Sequence, residues 1–311
     1  MTKLIYIQGL LVTLIILTLS CKEAKKGIEY DPNLLNIKTV NDTILHYQNF
    51  NSKYVDSRNV DVWLPSGYNS QDTLKYKVIY MHDGQNLFDS TTTWNKQEWC
   101  MDENLDSMIK NGTIKRTILV GIWNNGDKRF PEYMPNKPKE TTNSPETLEL
   151  LKSNFGSDSL LSDYYLEFLV KELKPFIQKT FNASEKPEDN VIMGSSMGGL
   201  ISLYAICEYP DIFGGAGCIS THWPVPVAGK AFISQLESSL PSPINHRVYF
   251  DFGTKTLDEQ YEPYQLEVDS IMRKRGYIEG NNWITKKFEG ADHSERSWQA
   301  RVHIPIRFLL Q

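Results

Sequence analysis

The chain has 311 residues, 33 basic and 38 acidic side chains, and a formal charge of −5 at pH 7. A mildly acidic chain lacks the basic surface that a nucleic-acid partner requires. Its length is enough for one large hydrophobic core. At the start, Lys3 precedes an apolar run from Leu4 to Leu19, followed by Ser20 and Cys21. A charged start, a short apolar stretch and a small residue before a cut form an export-signal pattern, and the cysteine directly after it makes the pattern that of a bacterial lipoprotein. Residues 1–20 are therefore expected to be removed. Cys21 would then carry the lipid and anchor the protein to a membrane outside the cytoplasm. The pattern departs from the usual one at Leu17, which sits one place too far from Cys21, with Thr18 in its slot. An uncleaved span is the alternative, but about 16 apolar residues is short of the ~20 a bilayer needs.

Residues 21–33 read as a polar tether and 34–311 as one domain. Cys100, Cys207 and Cys218 remain, an odd number without metal-ligand spacing. They read as buried apolar residues, with a Cys207–Cys218 bridge left open. TILHYQNF (43–50) and NVDVWLP (59–65) suggest an opening hairpin. KVIYMHD (77–83), RTILVGIW (116–123), NVIMG (190–194), GGAGCIS (214–220), RVYFDFG (247–253) and WITKKFEG (283–290) are short buried runs. Helical patterns fall between them, most clearly over 164–181. Strands alternating with helices predict a mainly parallel central sheet with helices on both faces. The stretch 130–156, with its prolines and polar residues, reads either as a solvated loop or as a cap over a pocket.

Within VIMGSSMGGLISLY (191–204), the five residues Gly194 to Gly198 form a G-x-S-x-G sequence between two apolar runs. A tight strand-to-helix turn explains the glycines. A nucleophile elbow explains the serine as well, because it holds the Ser196 hydroxyl exposed on a strained turn. Serine is a poor nucleophile unless an imidazole accepts its proton. In the chain order Ser, Asp or Glu, His, that base follows the last strand, where His293 stands in GADHSERSW (290–298). Asp292 and Glu295 read as a capping box, which would make His293 the first residue of a helix. For the acid, Asp258 lies on a loop beyond Gly253, whereas Asp251 is fixed within a strand; Asp258 is the choice, ahead of Asp251 and Glu262. The backbone N–H groups of Met197 and Gln85 are the expected oxyanion donors. His82, Asp83 and Asp89 match no metal-ligand spacing, so neither a metal nor another cofactor is expected. Trp123 and Trp223, near strand ends, are candidates to stack on a substrate ring.

Taken in order, VWLPSGY (62–68), VIYMHDGQNLFD (78–89), GIWNNGDKRFPEY (121–133), FLVKELKP (168–175), MGSSMGGL (193–200), YFDFGTKTLDEQYEPYQ (249–265) and GADHSERSW (290–298) resemble the putative-esterase family of α/β-hydrolases. That family includes enterochelin esterases, feruloyl and acetylxylan esterases and S-formylglutathione hydrolases, and the similarity runs from about Arg58 to Leu310. The resemblance implies an α/β-hydrolase fold and ester hydrolysis through an acyl-serine, with Ser196 as nucleophile and His293 as base. The family's acid falls in the GTKTLD segment, at Asp258. An exported lipoprotein counts against a cytosolic formylglutathione activity and leaves acylated saccharides and siderophore-type esters as expected substrates. Two other readings use the same chain: an acyltransferase working through the same residues, and a non-catalytic, glycan-binding surface lipoprotein. An intact nucleophile, base and acid argue against the last, which needs none of them.

Overall fold

The computed structural model describes residues 37–40, 44–138 and 144–311. The expected signal segment, Cys21 and the tether lie outside the described residues. Among those described, no helix is long and apolar enough to cross a membrane.

Nine strands form one sheet in the order β1-β2-β3-β5-β4-β6-β7-β8-β9. β1 (Ile37–Val40), β2 (Ile44–Phe50) and β3 (Arg58–Trp63) are antiparallel to one another, and β3 is antiparallel to β5. β4 (Lys77–His82), β5 (Thr117–Ile122), β6 (Asn190–Ser195), β7 (Gly215–Ile219), β8 (Arg247–Phe252) and β9 (Trp283–Lys287) run parallel. Every residue of β4 to β7 is buried. This is why these segments read as unbroken apolar runs, since a parallel strand is covered on both faces. On one face, Ile79, Met81, Leu119 and Met193 pack with Leu105 of the helix Met101–Lys110 and with Ile306 and Leu309 of the helix His303–Leu310. The helix Met197–Glu208 is buried along nearly its whole length against β6 and β7.

After β4 the chain turns towards β5, and after β6 it turns the other way, towards β7. β4 and β6 are neighbours, so the loops leaving their carboxyl ends diverge and open a crevice between them, the place where open α/β sheets bind ligands. Both G-x-S-x-G and MHDGQ stand at that crevice.

Two expectations are corrected. The stretch 130–156 is not a bare loop: it carries the helices Arg129–Tyr133 and Pro145–Phe155, joined by stacking of Phe130 on Phe155 at 4.4 Å. Ser144 caps the second helix by accepting from Thr147 N–H, and Gly156, at φ 60°, ends it. The capping box does not form. Ser294 is the N-cap of the helix Glu295–Gln299 and accepts from Ser297 N–H at 3.3 Å, so His293 precedes the helix. Asp292 instead accepts from the hydroxyls of Ser294 and Ser297. As the sequence reading favoured, Cys207 and Cys218 are free rather than bridged, and burial pushes the Cys207 thiol up to about 12.

Candidate active site

Ser196 sits at φ 58° and ψ −121°, a region that excludes most residues with a Cβ and costs on the order of 1–3 kcal/mol. The surroundings enforce it. Ser196 N–H donates to Ile219 O at 2.9 Å, and His222 N–H donates to Ser196 O at 3.1 Å. A Cβ on Gly194 would lie 3.0 Å from the carbonyl carbon of Gly198, and one on Gly199 would lie 2.9 Å from Thr221 Oγ1. Glycine at these positions lets the strand fold back onto its own helix. Met197 opens that helix, so its N–H belongs to the first turn, whose amides have no intrahelical acceptor.

The loop after β4 closes on the elbow from the other side. An added Cβ on Gly198 would meet Asp83 Oδ2 and His82 Cβ at 3.4 Å, and one on Gly84 would strike Gly121 at 2.5 Å. Gly84 therefore lets the loop lie flat on β5. Asp83, in the left-handed region at φ 58°, turns the chain into the short helix Gly84–Asn86. That places Gln85 N–H at a helix start, like Met197 N–H. Asp83 is held by Arg129 through Nε at 2.7 Å and Nη2 at 2.8 Å, and by Asn124 Nδ2 at 2.8 Å. Burial opposes ionisation of Asp83, but Arg129 and Asn124 outweigh it and keep its pKa low. His82 Nδ1 bonds to Tyr165 Oη at 2.8 Å, and burial drops His82 to about 3, so it is neutral.

His293 and Asp258, 35 residues apart in the chain, meet at 2.6 Å through Nδ1 and Oδ1. Asp258 is 1% exposed. Its second oxygen accepts from Ser220 Oγ at 2.7 Å and from Gly253 N–H at 2.6 Å. Burial alone would raise its pKa, but the bonds from His293, Ser220 and Gly253 hold it below the usual carboxylate range. Thr256 Oγ1 accepts from His293 N–H at 2.9 Å, and Trp298 packs edge-on to the imidazole at 4.9 Å. Asp251 has other partners. Arg301 donates to it through Nη2 at 3.0 Å and Nε at 3.2 Å, and Tyr249 Oη lies at 3.0 Å. Burial keeps Asp251 above the usual range in spite of Arg301.

Reading by residue type and chain order passed over three groups. Ser220, at φ 41°, accepts from Trp298 Nε1 at 3.0 Å and Arg301 Nη2 at 2.9 Å while donating to Asp258. Tyr261 lies edge-on to His293 at 5.8 Å, and the Ser196 hydroxyl acts on its phenol. His222 Nδ1 meets Tyr261 Oη at 2.7 Å. Its strand-end position marks His222 as a histidine near the pocket, but chain order sets it aside as the triad base, and its pairing with Tyr261 has no sequence signal.

The two tryptophans differ from each other. Trp223 is 1% exposed and donates its indole N–H to Gln265 at 3.0 Å. Its expected stacking role is corrected to packing, since no ring face is open. Trp123 is half-buried. Its indole donates to Asp61 at 2.5 Å, and its ring lies edge-on to His46 at 5.6 Å. A groove lined by Lys77, Asp189, His246 and Arg247 opens at the amino edge of the sheet and holds none of these site residues.

A family model described as "Putative esterase" matches residues 52–304. A Bacillus subtilis (strain 168) protein called "Uncharacterized protein YbbA" is 27% identical over 247 residues, which span 77% of this chain and 87% of that one. Among solved structures, a ferulic acid esterase aligns with a TM-score of 0.63 at 15% identity, over 86% of this chain and 97% of its own. The enterobactin esterase FES from Shigella flexneri aligns with a TM-score of 0.60 at 15% identity, over 89% of this chain and 61% of its own. These likenesses match the α/β-hydrolase sheet described above.

Proposed function

The chain belongs to this esterase family, and on that premise we propose that it hydrolyses carboxylic esters through an acyl-enzyme on Ser196. The observation that carries the reading is the 2.6 Å pair of His293 and Asp258 in the same site as a serine held at φ 58°. Tyr261 neighbours both the serine and the imidazole. Ser196 Oγ attacks the ester carbonyl and passes its proton to His293 Nε2. Asp258, accepting from Nδ1–H, fixes the tautomer that leaves Nε2 free and stabilises the imidazolium that forms. Negative charge gathering on the carbonyl oxygen is met by the N–H groups of Met197 and Gln85. His293 then protonates the departing alcohol, and water repeats the sequence on the acyl-serine.

The substrates we assign are acylated saccharides or siderophore-type esters. Support comes from the family and from the ester-cleaving activities named for the similar structures. The export signal read at residues 1–20, with Cys21 as the lipid site, supports a setting outside the cytoplasm on a lipid-anchored protein. Trp123, at the carboxyl end of β5, is the remaining aromatic candidate for the substrate side. The test is a screen of the purified protein against p-nitrophenyl acetate, acetylated xylan, methyl ferulate and a catecholate triester. Chromatography of the products separates free acid from a transferred acyl group. Turnover of at least one ester, abolished in Ser196→Ala, is expected; no turnover of any ester overturns the reading.

A further inference from the structure

Two polar side chains at the nucleophile, Tyr261 buried and His222 half-buried, have no part in the mechanism above. Tyr261 is 1% exposed, yet its hydroxyl is among polar groups: His222 Nδ1 lies 2.7 Å away, and the Ser196 hydroxyl is close enough to act on the phenol. His222 is tied to the elbow by its own N–H, which donates to Ser196 O at 3.1 Å. The two rings meet edge to face at 5.9 Å, and Tyr261 lies edge-on to His293 at 5.8 Å. Packing alone does not call for this arrangement, because phenylalanine would fill the volume of Tyr261 without a buried hydroxyl that needs a partner.

We propose that Tyr261 is a further catalytic residue that donates a hydrogen bond to Ser196 Oγ, and that His222 is the positioning residue that directs its proton there. The inference rests on the acyl-enzyme reading. A phenol has one proton, and a neutral imidazole has one N–H. With the proton of His222 on Nδ1, that N–H donates to Tyr261 Oη and leaves the phenolic proton for Ser196. Burial, followed by the charges of His293 and Arg129, drops His222 to about 4. Burial likewise keeps Tyr261 protonated. The pair is therefore neutral through the pH range in which His293 works as a base.

A donor at Oγ acts unequally on the two half-reactions. In acylation, Oγ needs its lone pair for attack, and a hydrogen bond to it gives little help. In deacylation, water adds to the acyl carbonyl and gives a proton to His293. The carbon–Oγ bond then breaks, its electron pair goes to Oγ, and the proton returns from His293 to Oγ as the free acid leaves. Charge grows on Oγ in that collapse, so a fixed donor lowers its barrier. Tyr261 keeps its own proton throughout.

Stopped-flow hydrolysis of p-nitrophenyl acetate separates the two steps, as a burst of p-nitrophenol for acylation and a steady rate for deacylation. In Tyr261→Phe the steady rate should fall by about ten- to a hundredfold, the acylation rate should stay within about threefold of wild type, and the burst should grow. His222→Leu should behave like Tyr261→Phe. His222→Asn, whose amide N–H can take the place of Nδ1–H, should recover most of the rate. The proposal is overturned if the steady rate of Tyr261→Phe stays within about twofold of wild type, or if both steps fall together as a packing defect would make them. Wild-type protein that releases no p-nitrophenol would instead remove the esterase reading.

Discussion

Strand β8 and the loop that leaves it hold two aspartates of the same kind and nearly the same burial. Asp251 is 1% exposed within the strand, and Asp258 is 1% exposed seven residues later. Both are linked to Ser220, Asp251 by the backbone N–H and Asp258 by the hydroxyl. Their partners differ. Asp251 faces Arg301, a cation at every working pH, and the result is a fixed ion pair joining the sheet to the C-terminal segment. Asp258 faces His293, which gains and loses a proton in the proposed cycle. Burial and residue type do not separate the two roles; the chemistry of the partner does.

The largest effect that would sharpen this contrast is on turnover. Asp258→Asn should cut kcat by up to about 10⁴-fold, with a melting temperature close to wild type. Loss of turnover in Asp251→Asn at unchanged stability, with Asp258→Asn near normal, would reverse the assignment. Next in size is stability. Asp251→Ala leaves Arg301 buried without its carboxylate, which costs on the order of 3–5 kcal/mol. Denaturant unfolding should show that loss, with far less change in turnover per folded molecule than Asp258→Asn produces.

Ser220→Ala touches both regions and should give a mixed result. Removing its hydroxyl takes one of the hydrogen bonds from Asp258 and strands donors from Trp298 and Arg301. A loss of about 1–3 kcal/mol, divided between a lower melting temperature and a higher barrier, is expected. An effect on only one of the two would break the account of Ser220 as the link.

The smallest effect is acid dependence. The pKa of Asp258 is lowered on folding, so its ionised form stabilises the protein above the unfolded value near ~3.9, and that contribution is lost as pH falls below it. The pKa of Asp251 is raised, so its ionisation disfavours the fold above its folded pKa, and the penalty eases as pH falls towards ~3.9. Between about pH 5 and 3, the stability gap between wild type and Asp258→Asn should therefore narrow. Over the same range, wild type should gain on Asp251→Asn. Parallel unfolding curves for both variants would contradict the shifts.

Local sequence made some of this legible and hid the rest. The buried parallel strands are continuous apolar runs, and the elbow is a five-residue pattern whose glycines answer to close contacts at Gly194 and Gly199. The positions of His293 and Asp258 follow from chain order after the last strands. Ser220, Tyr261 and Arg301 were not legible, because each acts through partners 32 to 81 residues away and leaves no periodic mark. At the C-terminus two capping patterns overlap, Asp292 with Glu295 and Ser294 with Ser297. Ser294 prevailed, as Asp292 already accepts from two hydroxyls. In 130–156 the prolines looked like breaks, yet Pro145 stands in the first turn of a helix, where its missing N–H does no harm.

The central claim is that Ser196 carries the acyl group. Purified protein turning over p-nitrophenyl acetate is quenched in acid, digested and mapped by mass spectrometry. An acetyl adduct on the peptide containing Ser196, enriched in Tyr261→Phe and missing in Ser196→Ala, is the expected result. Steady turnover with no adduct, or with the adduct on another residue, would contradict it.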